Sequence, residues 1–212
     1  MLVTASGTDA GKTWVAAEII TLLTRAGHRV SARKPVQSYE PGTGPTDAEV
    51  LASASGETPN AVCSPRHWYP VPMAPPMAAA ALGRRPFVLA DLLAGMRVPG
   101  TGRWIVEGVG GVRSPLAEDA DTVRLAEALA PRRIVFVVAS GLGAVNAVLL
   151  ARDALRRWPF TVFLNRFQPE LDVHTRTAAW LAGRERISVA TTIDALAASC
   201  WPEAWPPHSA RS

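Results

Sequence analysis

Short runs of consecutive apolar residues alternate along the chain with longer stretches in which apolar positions recur every three or four residues. The run Ile134-Val135-Phe136-Val137-Val138 has no polar face, the pattern of a strand covered on both sides. This run and other short, β-branched runs predict strands over 1–5, 29–33, 104–107, 134–139, 161–164 and 187–190. Helical spacing predicts helices over 12–26, 46–55, 88–96, 121–129, 144–157, 173–183 and 193–198. Strand and helix in alternation imply right-handed crossovers, and so an α/β fold: a doubly wound, mainly parallel sheet with helices on both faces. Ligands of such sheets gather at the carboxyl ends of the strands. The proline-rich stretch 70–76 reads as a loop or rigid cover near the site, and 202–212, with three prolines, as an irregular tail.

Composition narrows the function classes. A chain of 212 residues has room for one large domain, taken here as 1–212, and 48% apolar with 19% charged residues is an ordinary globular balance. No apolar run reaches 18 residues, so a membrane span is not expected. The strand pattern starts at Met1, so a leader is not expected either, and a cytoplasmic location follows as the expectation. Cys63 and Cys200 stand far apart and the four histidines form no metal-binding spacing, so reduced thiols and no zinc site are expected. The net charge of +4 is spread over scattered arginines without interleaved aromatics, which argues against nucleic acid as a partner. Only two of the 22 basic residues are lysine, Lys12 and Lys34. A lysine is a compact point charge suited to phosphate oxygens, and both fall inside motifs.

The first motif is Ser6-Gly7-Thr8-Asp9-Ala10-Gly11-Lys12-Thr13, between the first strand and the first helix. Small residues let backbone N–H groups wrap phosphates at a helix N-terminus, a lysine reaches the β/γ oxygens, and a hydroxyl serves magnesium. Gly11-Lys12-Thr13 provides the second half of such a P-loop, whereas Ser6 stands where the strict spacing has a glycine. The second motif, Lys34-Pro35-Val36-Gln37-Ser38, ends the second strand, where the lysine can neutralise a transferring phosphoryl group. Asp47 opens a helix and reads either as a first-turn carboxylate or as a metal ligand. Glu107-Gly108-Val109-Gly110-Gly111 puts a carboxylate at the tip of a buried strand, which packing explains poorly. Thr13, Asp47 and Glu107 together are the oxygen set that magnesium favours.

In order and spacing these segments resemble the dethiobiotin synthetase family over roughly residues 2–165, with a P-loop NTPase-like fold implied. The loop aligns without a gap with Ala5, Ser6 and Gly7 replacing Gly, Thr and Asp, and Val109 stands for an alanine in the E-G-A-G-G segment. Tyr69 to Pro75 is similar to the family's proline-rich substrate loop, and Leu142-Gly143-Ala144-Val145-Asn146 to its L-G-x-x-N segment. The resemblance implies an ATP- and magnesium-dependent ligase that carboxylates 7,8-diaminopelargonate, with carbon dioxide or bicarbonate, and closes the ureido ring of dethiobiotin in biotin biosynthesis. It implies Lys12 and Lys34 as catalytic residues and Thr13, Asp47 and Glu107 as metal ligands. Nucleotide contacts fall to Asp9, Ala10, Gly11, Lys12, Thr13, Asp47, Glu107, Gly108, Val109, Gly110 and Asn165. Substrate contacts fall to Thr8, Lys34 and Ser38, and to Gly143, Ala144, Val145 and Asn146 of the second subunit of a homodimer with shared sites. The chain departs from the family pattern at Tyr39 (glycine), at Ala147 (histidine), and in lacking a late G-x-x-P-x-[LM] segment, for which 190–196 is the corresponding stretch. A P-loop amide or ureido ligase acting on another substrate stays open. A partitioning or scaffold ATPase is disfavoured, because Gly7 stands where such proteins carry an extra lysine.

Overall fold

The computed structural model describes residues 1–96 and 102–202. The first half runs β1 (Leu2–Ala5), α1 (Lys12–Arg25), β2 (Val30–Arg33), β3 (Gln37–Ser38), α2 (Asp47–Ser55), α3 (Pro59–Val62), β4 (Trp68–Tyr69), α4 (Pro75–Ala81) and α5 (Leu89–Gly95). The second runs β5 (Arg103–Gly111), α6 (Thr122–Leu129), β6 (Ile134–Ala139), α7 (Ala144–Ala154), β7 (Phe160–Asn165), α8 (Asp172–Ala179), β8 (Ser188–Ala190) and α9 (Ile193–Cys200). Six strands form one parallel sheet in the order β2-β5-β1-β6-β7-β8. The chain leaves β1 toward β2 on one side and later returns past it to β6 on the other. The crevice outside the end of β1 is therefore the switch point where such sheets bind ligands.

Alternation along each strand supplies two cores. Leu2, Ile134, Phe136 and Val162 face one side of the sheet, and Val3, Val135, Val137 and Phe163 face the other. On the second side they meet Ile19, Ile20 and Leu23 of α1, none of them exposed. Each such aliphatic side chain contributes about 1.5–3 kcal/mol by burial. The anchoring of α1 fixes where the loop before it must stand. A capping box starts α2: the Thr46 hydroxyl accepts from Glu49 N, and the Glu49 carboxylate accepts from Thr46 N at 2.7 Å. That cap holds Asp47 in the first helical position.

All six expected strands lie in this sheet, and the differences have local causes. The strand expected to stop at Glu107 continues through its glycines to Gly111. The helix expected to reach 157 ends at Ala154, ahead of a Trp158-Pro159 pair that disfavours helical backbone. The stretch expected over 173–183 begins one residue earlier and passes into a π-turn, Trp180–Arg184. The proline-rich cover is only in part a loop. Helix α4 starts inside it at Pro75, because a first helical residue needs no N–H partner. Ser38 and Tyr69 pair in a small parallel sheet, β3 with β4, that no periodicity announces. Of the expected tail, residues 203–212 lie outside the described residues. Among the described residues no helix is long and apolar enough to cross a membrane.

Candidate active site

The ends of β1, β2 and β5 enclose a cavity of about 870 Å³. At its base lie two lysines and two carboxylates. Lys34, 2% exposed, directly follows β2 and places its Nζ 2.6 Å from Asp47 Oδ2 and 2.6 Å from Glu107 Oε1. Its third N–H donates to the Gly108 carbonyl at 3.1 Å. Glu107 is fully buried, and its second oxygen, Oε2, meets no hydrogen-bond donor among the described residues. The Thr13 hydroxyl lies 2.8 Å from Asp47 Oδ1 and 2.9 Å from Glu107 Oε1. One hydroxyl proton can satisfy only one of those two oxygens, so the cluster keeps acceptor capacity for a further cation.

The electrostatics follow from this crowding. Burial works against the Lys34 ammonium, but the carboxylates of Asp47 and Glu107 outweigh it and hold its pKa above the ordinary lysine value. Asp47 is likewise desolvated, and the bond and charge of Lys34 still pull it below the usual carboxylate range. Complete burial pushes Glu107 upward, although Lys34 opposes that. Lys12 is lowered, by burial first and by the Lys34 charge second. Its Nζ donates to the Gly7 carbonyl at 2.9 Å, which folds it back over the loop and leaves two donors for a ligand.

The loop itself is tied from across the sheet. Gly11 adopts φ +93°, and a Cβ there would lie 2.2 Å from Asn165 Nδ2. That nitrogen donates to the Ala10 carbonyl at 2.9 Å, while Asn165 Oδ1 accepts from Arg166 N at 2.9 Å. Only glycine fits the position, on grounds of both backbone and space. The result is a fixed loop at the start of α1 with a buried lysine beside it, the kind of helix N-terminus that can accept a phosphate.

Residues 1–199 match the family described as an AAA domain. The ATP-dependent dethiobiotin synthetase BioD of Haloferax mediterranei is 35% identical over 175 residues, covering 79% of this chain and 72% of that protein. The enzyme of the same name from Acidiphilium cryptum is 40% identical over 164 residues, covering 73% of this chain and 72% of that one. The chain belongs to the dethiobiotin synthetase family. A structural likeness to the 54 kDa signal recognition particle protein of Aeropyrum pernix in complex with GDP is remote: TM-score 0.46, 16% identity, covering 91% of this chain and 42% of that one.

Of the residues expected at the site, Thr8, Asp9, Gly11, Lys12 and Thr13 line the cavity, as do Lys34, Ser38, Asp47, Glu107, Val109 and Gly110. Ala10 and Gly108 are buried behind it and act through their carbonyls, toward Asn165 and Lys34 respectively. Asn165 borders a second, smaller cavity instead, together with residues 191–193 of the stretch that stands where the family's late segment is expected. Gly143, Ala144, Val145 and Asn146 line neither cavity; Gly143 and Asn146 are exposed at the start of α7 and Ala144 is buried. Of four further residues at the site, Tyr39 was marked in the sequence as a departure from the family pattern, and Gln37, Arg166 and Trp14 were not legible as site residues. Gln37 accepts from Ala48 N at 2.9 Å and so fastens the first turn of α2, next to Asp47, to the start of β3. Tyr39 lines the cavity with its ring edge-on to Trp68. Arg166, beside Asn165, reaches the Asp9 carbonyl, and Trp14, beside Thr13, borders the smaller cavity. Adjacency to a motif residue was the one signal available for the last two.

Proposed function

We propose that this chain uses ATP to carboxylate 7,8-diaminopelargonate and close the ureido ring of dethiobiotin, a step of biotin biosynthesis. The observation that carries the reading is the cluster of Thr13, Lys34, Asp47 and Glu107 beneath the phosphate loop, in a chain of this family. One amine of the substrate adds carbon dioxide and loses a proton to give a carbamate. A carbamate oxygen attacks the γ-phosphorus, ADP leaves, and a carbamic-phosphoric anhydride results. The second amine then attacks the carbonyl carbon, expelling inorganic phosphate and closing the ring. No protein nucleophile is required; positioning and charge neutralisation are.

Lys12 binds β/γ oxygens with the two N–H groups that Gly7 leaves free. Lys34, held charged at the cavity base, neutralises carbamate and transferring phosphoryl, and Thr8 and Ser38 orient the amines. An all-oxygen set of hydroxyl and two carboxylates, with Glu107 Oε2 buried and unpartnered, fits magnesium, which Thr13, Asp47 and Glu107 hold. When bound, the ion supplies charge to the triphosphate oxygens. Asn165 stands at the base of the nucleotide. The protein acts in the cytoplasm as a homodimer, each chain offering Gly143 to Asn146 to the carboxylate tail of the substrate in the other.

A second reading, a P-loop ligase for a different amine, draws on Tyr39, whose ring occupies cavity wall where the family has glycine. One assay separates the two. Purified protein with ATP, magnesium, bicarbonate and 7,8-diaminopelargonate should release phosphate and give a product with the mass of dethiobiotin. Phosphate release with other diamines but not this one would favour the second reading.

A further inference from the structure

The two cavities share a border. Gly11 and Arg166 line both, so a ligand whose phosphates lie in the loop can extend past Gly11 into the smaller space of about 500 Å³. Trp14 stands at that border, on the first turn of α1. Its neighbours Val15 and Ala16 are wholly buried in the core, whereas the indole is 49% exposed. Its one ring contact, among the described residues, is with Phe163, centroids 6.4 Å apart and planes tilted by 44°. An aromatic surface is thus left open on the cavity side.

Polar groups around the same space are largely spent on the fold. The Asn165 oxygen accepts from Arg166 N, and one of its N–H groups goes to the Ala10 carbonyl. The Thr192 hydroxyl accepts from Ala195 N at the start of α9. What the cavity offers in quantity is therefore apolar and aromatic area, from Trp14, Phe163, Phe167 and Ile193. A flat, polarisable ring with few hydrogen-bond demands is the ligand such a wall takes.

We propose that Trp14 is a base-stacking residue: its indole forms the aromatic wall for the base of the nucleotide whose phosphates the loop holds, and favours purine over pyrimidine. This rests on the nucleotide-binding reading above. Stacking grows with the overlapping π area, which is larger for a purine, while Asn165, with one N–H and one lone pair already used within the chain, has a single donor left for a base edge. Trp14 makes no contact with the reacting groups at Lys34, so it acts on affinity and base choice.

The test is calorimetric titration of ATP, CTP and inorganic tripolyphosphate, each with magnesium, into wild type, Trp14→Leu and Trp14→Phe. Leucine keeps apolar bulk without a π face, and phenylalanine keeps the face. Trp14→Leu should lose ATP affinity on the order of tenfold, narrow the ATP-to-CTP ratio and leave tripolyphosphate unchanged, while Trp14→Phe retains most of the ATP affinity. Unchanged ATP binding in Trp14→Leu overturns the proposal. Equal losses for ATP and tripolyphosphate overturn it too, because the indole would then be shaping the loop. A wild type that binds neither ATP nor tripolyphosphate overturns the nucleotide reading itself, and the inference with it.

Discussion

The ends of β1, β2 and β5 and the end of β6 lie on the same edge of one sheet, yet they are built differently. At the first three, Lys34 has all three donors engaged within the chain and Glu107 is sealed from solvent. At the fourth, Leu142 is 97% exposed and the turn through Gly143 into α7 stands open. Reactive groups have to be held charged and still before any ligand arrives, and only a closed network of opposite charges achieves that. A grip on a distant substrate carboxylate has no such need, and an open turn lets a second copy of the chain come near. On the function proposed above, the chemistry would reside within one chain and the grip would be shared between two.

The largest effect should come from opening the closed network. Lys34→Ala is expected to lower kcat by about 10³-fold, the scale for losing a preorganised charge at the reacting group. It should also destabilise the fold by about 3–5 kcal/mol, because Glu107 is left buried without its cation. The pH dependence of stability separates the two effects. In the wild type Lys34 is raised, so its contribution is full below about pH 10.4 and fades only as pH climbs through the higher folded value. Asp47 is lowered, so its contribution holds above about pH 3.9 and fades as pH falls through the lower folded value. The pair is therefore insensitive to pH near neutrality. In Lys34→Ala the carboxylates lack that partner, and the folded state binds protons more readily than the unfolded one. Denaturant unfolding should then show this variant gaining stability from pH 8 down to pH 5; a flat profile would mean that the carboxylates find another cation. Lys34→Arg should remain slow, since a planar fork does not replace a point charge, and wild-type kcat in that variant would remove Lys34 from the reaction.

Next in size, Glu107→Gln keeps the shape and removes the charge. It should fold normally and raise the magnesium concentration needed for half-maximal activity by about 10–100-fold. Unfolding with an unaltered magnesium requirement would make Glu107 a structural residue. Gly11→Ala should weaken ATP binding by about 10–100-fold, because the left-handed backbone and the contact with Asn165 both resist a Cβ. Equilibrium dialysis reads this directly, and near-normal affinity would show that the loop rearranges without cost. The smallest change concerns the open region. Heterodimers of Lys34→Ala with Ala144→Glu should regain activity at no more than one of their two sites, while each mutant homodimer is inactive. Heterodimers verified by native mass spectrometry that stay inactive would place the whole site in one chain.

How much of this was legible depended on the range over which each signal acts. The continuous apolar run of β6 announced a strand buried on both faces, and the shorter, mixed runs of β2 and β8 were placed by their alternation with helical stretches. The two-residue strands β3 and β4 carry no such signal, being too short for any period. Helix α4 was hidden by Pro75 and Pro76, which read as loop although the first turn accepts them. Lys34, Asp47 and Glu107 were legible because each stands out from its surroundings: Lys34 directly follows a strand, Asp47 opens a helix, and Glu107 is a carboxylate inside an apolar strand. Gln37 was not, since its role is to accept from Ala48 N across a turn, and nothing in its type or spacing encodes that partner. Arg166 was hidden for a similar reason: its direction follows from a left-handed backbone, φ +55°, which no side-chain pattern reveals.

The bond from Asn165 to the Ala10 carbonyl joins residues 155 positions apart in the chain. It sets an order in time as well as a shape. Residues 6–13 leave the ribosome early, but the side chain that holds their backbone in place arrives only with β7, after β5 and β6 have provided the sheet edge on which β7 docks. Closing so long a loop is slow, and local contacts can form well before it. A partly made chain therefore carries the phosphate-binding sequence without the means to hold it in a binding conformation. Nucleotide capture becomes a late report that β7 is home, and ATP added during refolding stabilises the last stages of assembly rather than the first.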